Sequence, residues 1–312
     1  VVNPNQLGCE FPSKALAGVG VAFYLLARLS SYRSQLGKSA SKVAQYLDLV
    51  ALGTYADVAS LDYNNRILVD AGVKRIQQNQ CRAGISALLD IAGRDPAQLK
   101  AQDLGFVLGP RVNAAGRMET MDIGIECLLA QDMQTAYPLA QQLNDLNVER
   151  RQVELQMKQQ ALVELEKLQL DQQHLPATLV MFDEHWHQGV IGIVAGRLKE
   201  QFHRPSIVFA ADDDGIHIKG SARSIDGVHI RDAIEMIAEQ HPHLVSHFGG
   251  HAAAAGLTLQ KVHFEQFKQA FEQLISTMDE SLFHATVWTD GELATENFQL
   301  ETVQLLQNLT PW

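Results

Sequence analysis

Between His247 and Gly256 the chain reads HFGGHAAAAG, two glycines and a histidine directly before four alanines. Alanine is among the best helix formers, so the stretch predicts a helix beginning near Ala252. Gly249 and Gly250 let the backbone turn sharply and come close to another group. A helix start presents unpaired N–H groups that attract anions. The stretch therefore reads as a seat for a phosphate, with His251 as an added donor. A tight turn into a small-residue packing helix would use the same residues.

Three more segments of the second half place polar residues where strands should meet helices: DEHWHQG (183–189), GSARS (220–224) and DGVHIRD (226–232). Ligands of open α/β sheets sit at such strand ends. With the glycine stretch they offer His187, Ser221, Arg223 and His251. A guanidinium, a hydroxyl and a glycine-freed helix start form a sound phosphate-binding set. Each has a plainer reading: Arg223 in a surface ion pair, Ser221 in a local turn, His187 orienting its loop. Asp183, His185 and His187 suggest zinc only weakly, because no further matched ligand accompanies them. In the first half, Asp57 closes GTYAD at the end of a helical pattern, either as a cap or beside something that approaches closely. A hard divalent ion needs several ligands, and no His/Asp cluster surrounds Asp57 in the sequence. LGPRVNAAGRM (108–118) reads as a Gly/Pro loop whose Arg111, Asn113 and Arg117 serve either an anion or packing.

The elements that must position these groups follow from periodicity. ALAGVGVAFYLLARL (15–29) predicts a buried helix, and 43–57, 64–77 and 84–93 predict three more. Residues 138–170 are rich in Gln, Glu, Leu, Lys and Arg and predict one long helix, ended by 172–176. After it, strand patterns at 177–183, 205–212 and 216–224 alternate with helix patterns at 189–202, 227–240 and 263–278, and 283–293 predicts a final strand. Strands alternating with helices imply an α/β fold.

The chain's 312 residues favour two domains. A formal charge of −11 counts against a broad nucleic-acid surface but leaves room for a narrow basic groove. Cys9, Cys81 and Cys127 are odd in number and far apart, which points to a reducing cytoplasm. No apolar run is long enough to span a bilayer, and the first residues carry no signal-peptide pattern.

Taken in order, LDLVALGTYADVASLDYNNRILV, LGPRVNAAGRM, HWHQGVIGIVAGRLKE, GSARSIDGVHIRDA and HFGGHAAAAGLTL resemble the DHH phosphoesterase family, in its single-strand-specific exonuclease branch. The resemblance covers nearly the whole chain. It implies the C-terminal part of a DHH catalytic domain at 1–137, a long connecting helix at 138–171, a smaller DHH-associated substrate-binding domain at 172–293, and a lead-in at 294–312 to an OB-fold domain. It implies metal-dependent 5′→3′ hydrolysis of single-stranded DNA in recombination and repair, with two Mn2+ (or Mg2+) ions in a cleft between the domains. Asp57 corresponds to a metal ligand. Gly249, Gly250 and His251 correspond to the substrate-binding motif, with His251 on the scissile phosphate. Ser221 and Arg223 correspond to the grip on the 5′ phosphate, Arg111, Asn113 and Arg117 to the cleft wall, and His187 to a further substrate contact. Single-strand-binding protein and a helicase are the expected partners. The family's Asp-His-His and His-x-Asp-x-Asp motifs have no match here, so a chain cut at both ends and inactive alone is expected. Gln188, Ala222 and Ser60 stand where proline, glycine and proline are usual. Two alternatives remain: a phosphodiesterase for short oligonucleotides or cyclic dinucleotides, and a tRNA-binding module.

Overall fold

The computed structural model describes residues 2–167 and 175–308. The chain divides into two compact units, Val1–Val148 with Gly291–Trp312, and Glu149–Asp290.

The first unit is helical. It comprises α1 (Gly18–Gln35), α2 (Leu47–Ala56), α3 (Tyr63–Gln77), α4 (Ala83–Ile91), the single turn α5 (Ala101–Asp103), α6 (Gly109–Met118) and α7 (Asp122–Leu129). The long helix α8 (Met133–Lys167) begins here and continues into the second unit. Ala136, Ala140 and Leu143 of α8 fall on one helical stripe and join a core with Val69, Ile76, Ile85, Leu88, Leu104 and Leu108. Helix α1 forms where the periodicity places it but is not buried as expected. Only Gly20 and Ser30 are fully enclosed, while Leu25, Leu29 and Tyr32 are more than half exposed. The segment 108–118 is a helix and not the expected loop. A π-helical turn, Leu104–Leu108, feeds directly into it, and Pro110 occupies the first turn, where a missing N–H costs nothing. Helix α8 starts five residues before the expected 138, with Pro138 inside it. Its expected end at 168–176 lies largely outside the described residues.

The second unit is an α/β domain with one five-stranded sheet in the order β1-β2-β3-β5-β4. Strands β1 (Leu179–Asp183) and β2 (Ser206–Ala211) are parallel and joined through α9 (Ile191–Phe202). Strands β3 (His217–Arg223), β5 (Ala254–Gln260) and β4 (His247–His251) continue the sheet antiparallel. Helices α10 (Ile230–Gln240) and α11 (Phe264–Ser276) cover one face. Their Ile234, Ile237, Phe267 and Phe271 pack on Ile207, Phe209, Ile218, Ala222, Leu257 and Leu259. Glu272 of α11 ties down the start of β1, accepting from the Ala177 and Thr178 N–H groups and the Thr178 hydroxyl at 2.5–2.9 Å.

Two expectations fail here. The alanine run does not begin a helix: Ala254 and Ala255 open β5, and only Ala252 and Ala253 turn the chain back from β4. Alanine's helix preference is worth under about 1 kcal/mol per residue, and pairing on both sides of β5 outweighs it. The expected strand at 283–293 is absent. After a short 3-10 turn at Glu280–Phe283 no strand forms, and Val287 and Trp288 are exposed. An extended segment needs a neighbour for its backbone groups, and the sheet ends at β1 and β4 without it. The C-terminal helix α12 (Leu300–Asn308) completes the described chain.

Candidate nucleic-acid interface

Strand alternation sorts the second unit's candidates onto one face. Val180, Ile207, Ala222 and Ala255 point to the α10/α11 core, so the residues between them point the other way. On that opposite face one row across the strands reads Ser206, Arg223, Ala254, His251, and the next reads Val208, Ser221, Gly256, Gly249. GSARS is therefore largely strand, not a loop as expected, yet its alternation brings Ser221 and Arg223 to the same side.

Helix α9 packs on this face over β2 and β3, burying Ile191, Val194, Ala195 and Leu198. It approaches closely because Gly192 has no side chain. A Cβ there would lie 2.8 Å from Ser221 Oγ and 2.9 Å from Arg223 Nη2. The Arg223 Nη1 donates to Ser221 Oγ at 3.1 Å and to the Ala222 carbonyl at 2.8 Å. A guanidinium and a hydroxyl thus sit together at the first turn of a 12-residue helix.

Toward β5 and β4 the face is open. Gly249, Gly256 and His251 are exposed, and Ala254 is half-buried. Arg223 and His251 stand two strands apart in one row, about 10 Å between backbones. On β5 and β4, between them and in the neighbouring row, lie Ala254, Gly256 and Gly249, a floor with no side chain larger than a methyl. The His251 Nδ1 accepts from the Ala253 N–H at 3.3 Å, which leaves its Nε2 on the outer side of the ring.

The two glycines of the motif differ. Gly250 adopts φ +151°, and a Cβ there would meet the Ala254 carbonyl oxygen at 2.3 Å and Ala255 Cα at 2.5 Å. Gly249 has nothing within 4 Å of an added Cβ. The first is required by the hairpin, whereas the second only keeps the face clear.

His187 orients its own loop, its Nδ1 accepting the Gly189 N–H at 3.0 Å. In the same loop Asp183 accepts the His185 N–H at 2.8 Å. Among the described residues no group of three or more His, Cys, Asp or Glu side chains converges as metal ligands would, Asp183, His185 and His187 included. Sequence reasoning missed two anchors of this loop. The buried Trp186 donates its indole N–H to Gln160 Oε1 at 2.9 Å, and Gln188 Nε2 donates to the Ala211 carbonyl at 2.7 Å. Beyond it, the β2–β3 turn is acidic. Backbone N–H groups of His217 and Ile216 and the His217 ring hold Asp214 down to about 2.

In the first unit, Asp57 is the exposed C-cap of α2. The helix closes in a Schellman arrangement, with Val58 N–H on the Tyr55 carbonyl and Ala59 N–H on the Thr54 carbonyl. That motif puts Val58 in the left-handed region, φ 53°, where glycine is usual. A β-branched residue there is strained. Val58→Gly is expected to stabilise this unit by about 0.5–1 kcal/mol, read as a higher urea midpoint, once glycine's larger unfolded-state entropy is subtracted. The segment after Asp57 is fixed: the Asn65 amide donates to the Ser60 carbonyl, and Asp62 caps α3. Ser60 thereby keeps its turn without proline.

Helix α6 separates the three residues expected to act together. Asn113 and Arg117 lie one turn apart on its exposed side. Arg111 points elsewhere, its Nε donating to Asn144 Oδ1 at 3.1 Å and its Nη1 to the Val107 carbonyl at 2.7 Å. Its visible role is to fasten α6 to α8.

Residues 175–277, which lie within the sheet unit, match the DHHA1 domain family. Over its full length the chain is similar to RecJ, the single-stranded-DNA-specific exonuclease. It is 50% identical to RecJ of Dickeya dadantii (strain 3937) over 319 residues, all of this chain and 55% of that protein. It is 47% identical to RecJ of Escherichia coli (strain K12), with the same shares. The crystal structure of RecJ in complex with Mn2+ from Thermus thermophilus superposes with a TM-score of 0.79 at 30% identity, covering 97% of this chain and 42% of that one. The chain spans about half the length of the curated relatives it matches.

Proposed function

We propose that this chain is the strand-gripping portion of a single-strand-specific exonuclease that hydrolyses DNA from the 5′ end, in recombination and repair. The observation that carries the reading is the sheet face of the second unit: Ser221, Arg223 and the first turn of α9 at one side, His251 at the other, and a floor of Gly and Ala between. The 5′ phosphate is seated by the Arg223 guanidinium and the Ser221 hydroxyl, with the α9 N-terminus adding its partial positive charge. The sugar–phosphate backbone then crosses the glycine floor, and the His251 ring donates to a following phosphate. Requiring a free phosphate at one end would set the polarity of digestion. Residues 172–293, which enclose the DHHA1 match, are the proposed substrate-binding domain, with 1–137 belonging to the catalytic domain and 138–171 to the connecting helix.

RecJ structures contain Mn2+ or Mg2+, and a divalent ion of this kind is the proposed cofactor of the whole enzyme. The described donors of this chain do not fit a two-ion centre: Asp57 contributes one exposed carboxylate and belongs to no group of three or more potential ligands among the described residues. We therefore derive no hydrolytic step from these residues, and assign to them binding and orientation. Single-strand-binding protein and a helicase are proposed partners, since both present unpaired strands. A reducing cytoplasm is the proposed compartment; Cys9, Cys81 and Cys127 are free thiols, and no described helix is long and apolar enough to cross a membrane.

Fluorescence anisotropy with a short oligothymidylate carrying either a 5′ phosphate or a 5′ hydroxyl tests the reading. The phosphorylated strand is expected to bind more tightly. Arg223→Ala is expected to reduce that preference about tenfold or more, the loss of a charge-assisted hydrogen bond of about 1.5–3 kcal/mol. Equal affinity for both ends, or tighter binding of a cyclic dinucleotide or a tRNA, would overturn it.

A further inference from the structure

The seat formed by Ser221 and Arg223 is only as wide as the position of α9 allows, because Gly192 abuts both side chains. What holds the entry of α9 therefore controls the seat. The entry follows a loop of a few residues after β1, whose earlier part is anchored outward by Glu184 on Lys261 and by Trp186 on Gln160. Within the loop, the His187–Gly189 contact is local and fixes nothing outside it. Gln188 reaches outward. Its Nε2 donates to the Ala211 carbonyl at the end of β2 and, at 3.3 Å, to Asp212 Oδ1. Asp212 is itself held from β3, accepting Lys219 Nζ at 2.9 Å, and it accepts the Asp213 N–H at the same distance. Lys219 lies two residues before Ser221 on the same face of the same strand. A continuous chain of hydrogen bonds thus runs from β3 through Lys219 and Asp212 to Gln188. Three residues further on, α9 begins.

We propose that Gln188 is a positioning residue for the 5′-phosphate seat, locking the first turn of α9 at a fixed height over Ser221 and Arg223. The inference rests on the reading of that seat given above. Gln188 itself touches no substrate. Its amide must donate, because both partners are acceptors, so the isosteric carboxylate cannot replace it and faces Asp212 with like charge.

The test measures the ratio of affinities for 5′-phosphorylated and 5′-hydroxyl oligothymidylate in Gln188→Ala, Gln188→Glu and Gln188→Lys, beside Arg223→Ala. The ratio is expected to fall about fivefold in Gln188→Ala and Gln188→Glu, the size of one net hydrogen bond. It is expected to recover in Gln188→Lys, whose ammonium donates to the same two oxygens. A purely structural role would lower thermal stability and both affinities together and leave the ratio unchanged, which overturns the proposal. A ratio that Arg223→Ala abolishes and Gln188→Ala preserves also overturns it, while leaving the seat intact. A wild-type ratio of one overturns the seat, and this inference with it.

Discussion

Gly250→Ala is expected to cost about 3 kcal/mol or more and to abolish single-strand binding, whereas Gly249→Ala is expected to leave stability unchanged and weaken binding alone. At 250 the added methyl meets backbone atoms, the Ala254 carbonyl oxygen at 2.3 Å and Ala255 Cα at 2.5 Å, and none of them belongs to a flexible side chain. The backbone angle of +151° adds strain for any L side chain. Strain of this kind costs about 1–3 kcal/mol, and overpacking a similar amount. Relief requires β4 to separate from β5, which removes both His251 and the edge of the floor. At 249 the methyl enters open space on the exposed face. It disturbs no packing, but it stands where a sugar–phosphate backbone would lie. Thermal melts of both variants, with anisotropy on oligothymidylate, separate the roles. A Gly250→Ala chain that melts like wild type would show that the hairpin tolerates the methyl. A Gly249→Ala chain with undiminished affinity would move the strand off this floor.

The legible part of the fold is the part written in periodicity. Strands β1 to β3 and helices α9, α10 and α11 fall where alternation and the 3.6-residue repeat place them, because α10 and α11 bury one face against the core on one side of the sheet and α9 buries its own against β2 and β3 on the other. The same alternation makes Ser221 and Arg223 readable as a pair, since residues two apart on a strand share a side. Ala252–Gly256 misleads because alanine and glycine carry almost no pattern, and its structure is decided by β3 and β4, which lie more than 20 residues away or in the other arm of the hairpin. LGPRVNAAGRM misleads in the opposite sense: glycine and proline suggest a loop, yet Gly109 and Pro110 occupy a helix start, where neither is costly. Gly192 and Gln188 could have been suspected only from the placement of a glycine in the first turn of a helix beside the polar strand. Contacts between distant segments, such as Asp48 with Arg82, leave no local trace at all.

That last pair carries the second large effect. Arg82→Ala is expected to destabilise the helical unit by about 3–5 kcal/mol. The Asp48 carboxylate, in the first turn of α2, is 1% exposed. Arg82 meets it with three groups, its backbone N–H and Nε on Oδ2 and its Nη2 on Oδ1, each at 3.0 Å. The Asp48 Oδ1 also accepts the Leu49 N–H, and Arg82 Nη1 reaches the Leu128 carbonyl at 3.3 Å before α7 ends. One fork thus joins α2, the start of α4 and α7. Truncating Arg82 leaves a buried carboxylate with two backbone donors and no counter-charge, and a buried charge in that state costs far more than the pair contributes. It follows that Asp48→Asn combined with Arg82→Ala is less destabilised than Arg82→Ala alone, because the uncompensated charge is gone. Asp57 closes the same helix that Asp48 opens, so loosening α2 at its start also loosens the carboxylate at its end. Urea unfolding followed in the helical unit decides the matter: an Arg82→Ala unfolding free energy within about 1 kcal/mol of wild type, or a double variant worse than the single, would mean that the fork contributes little to holding α2 in place.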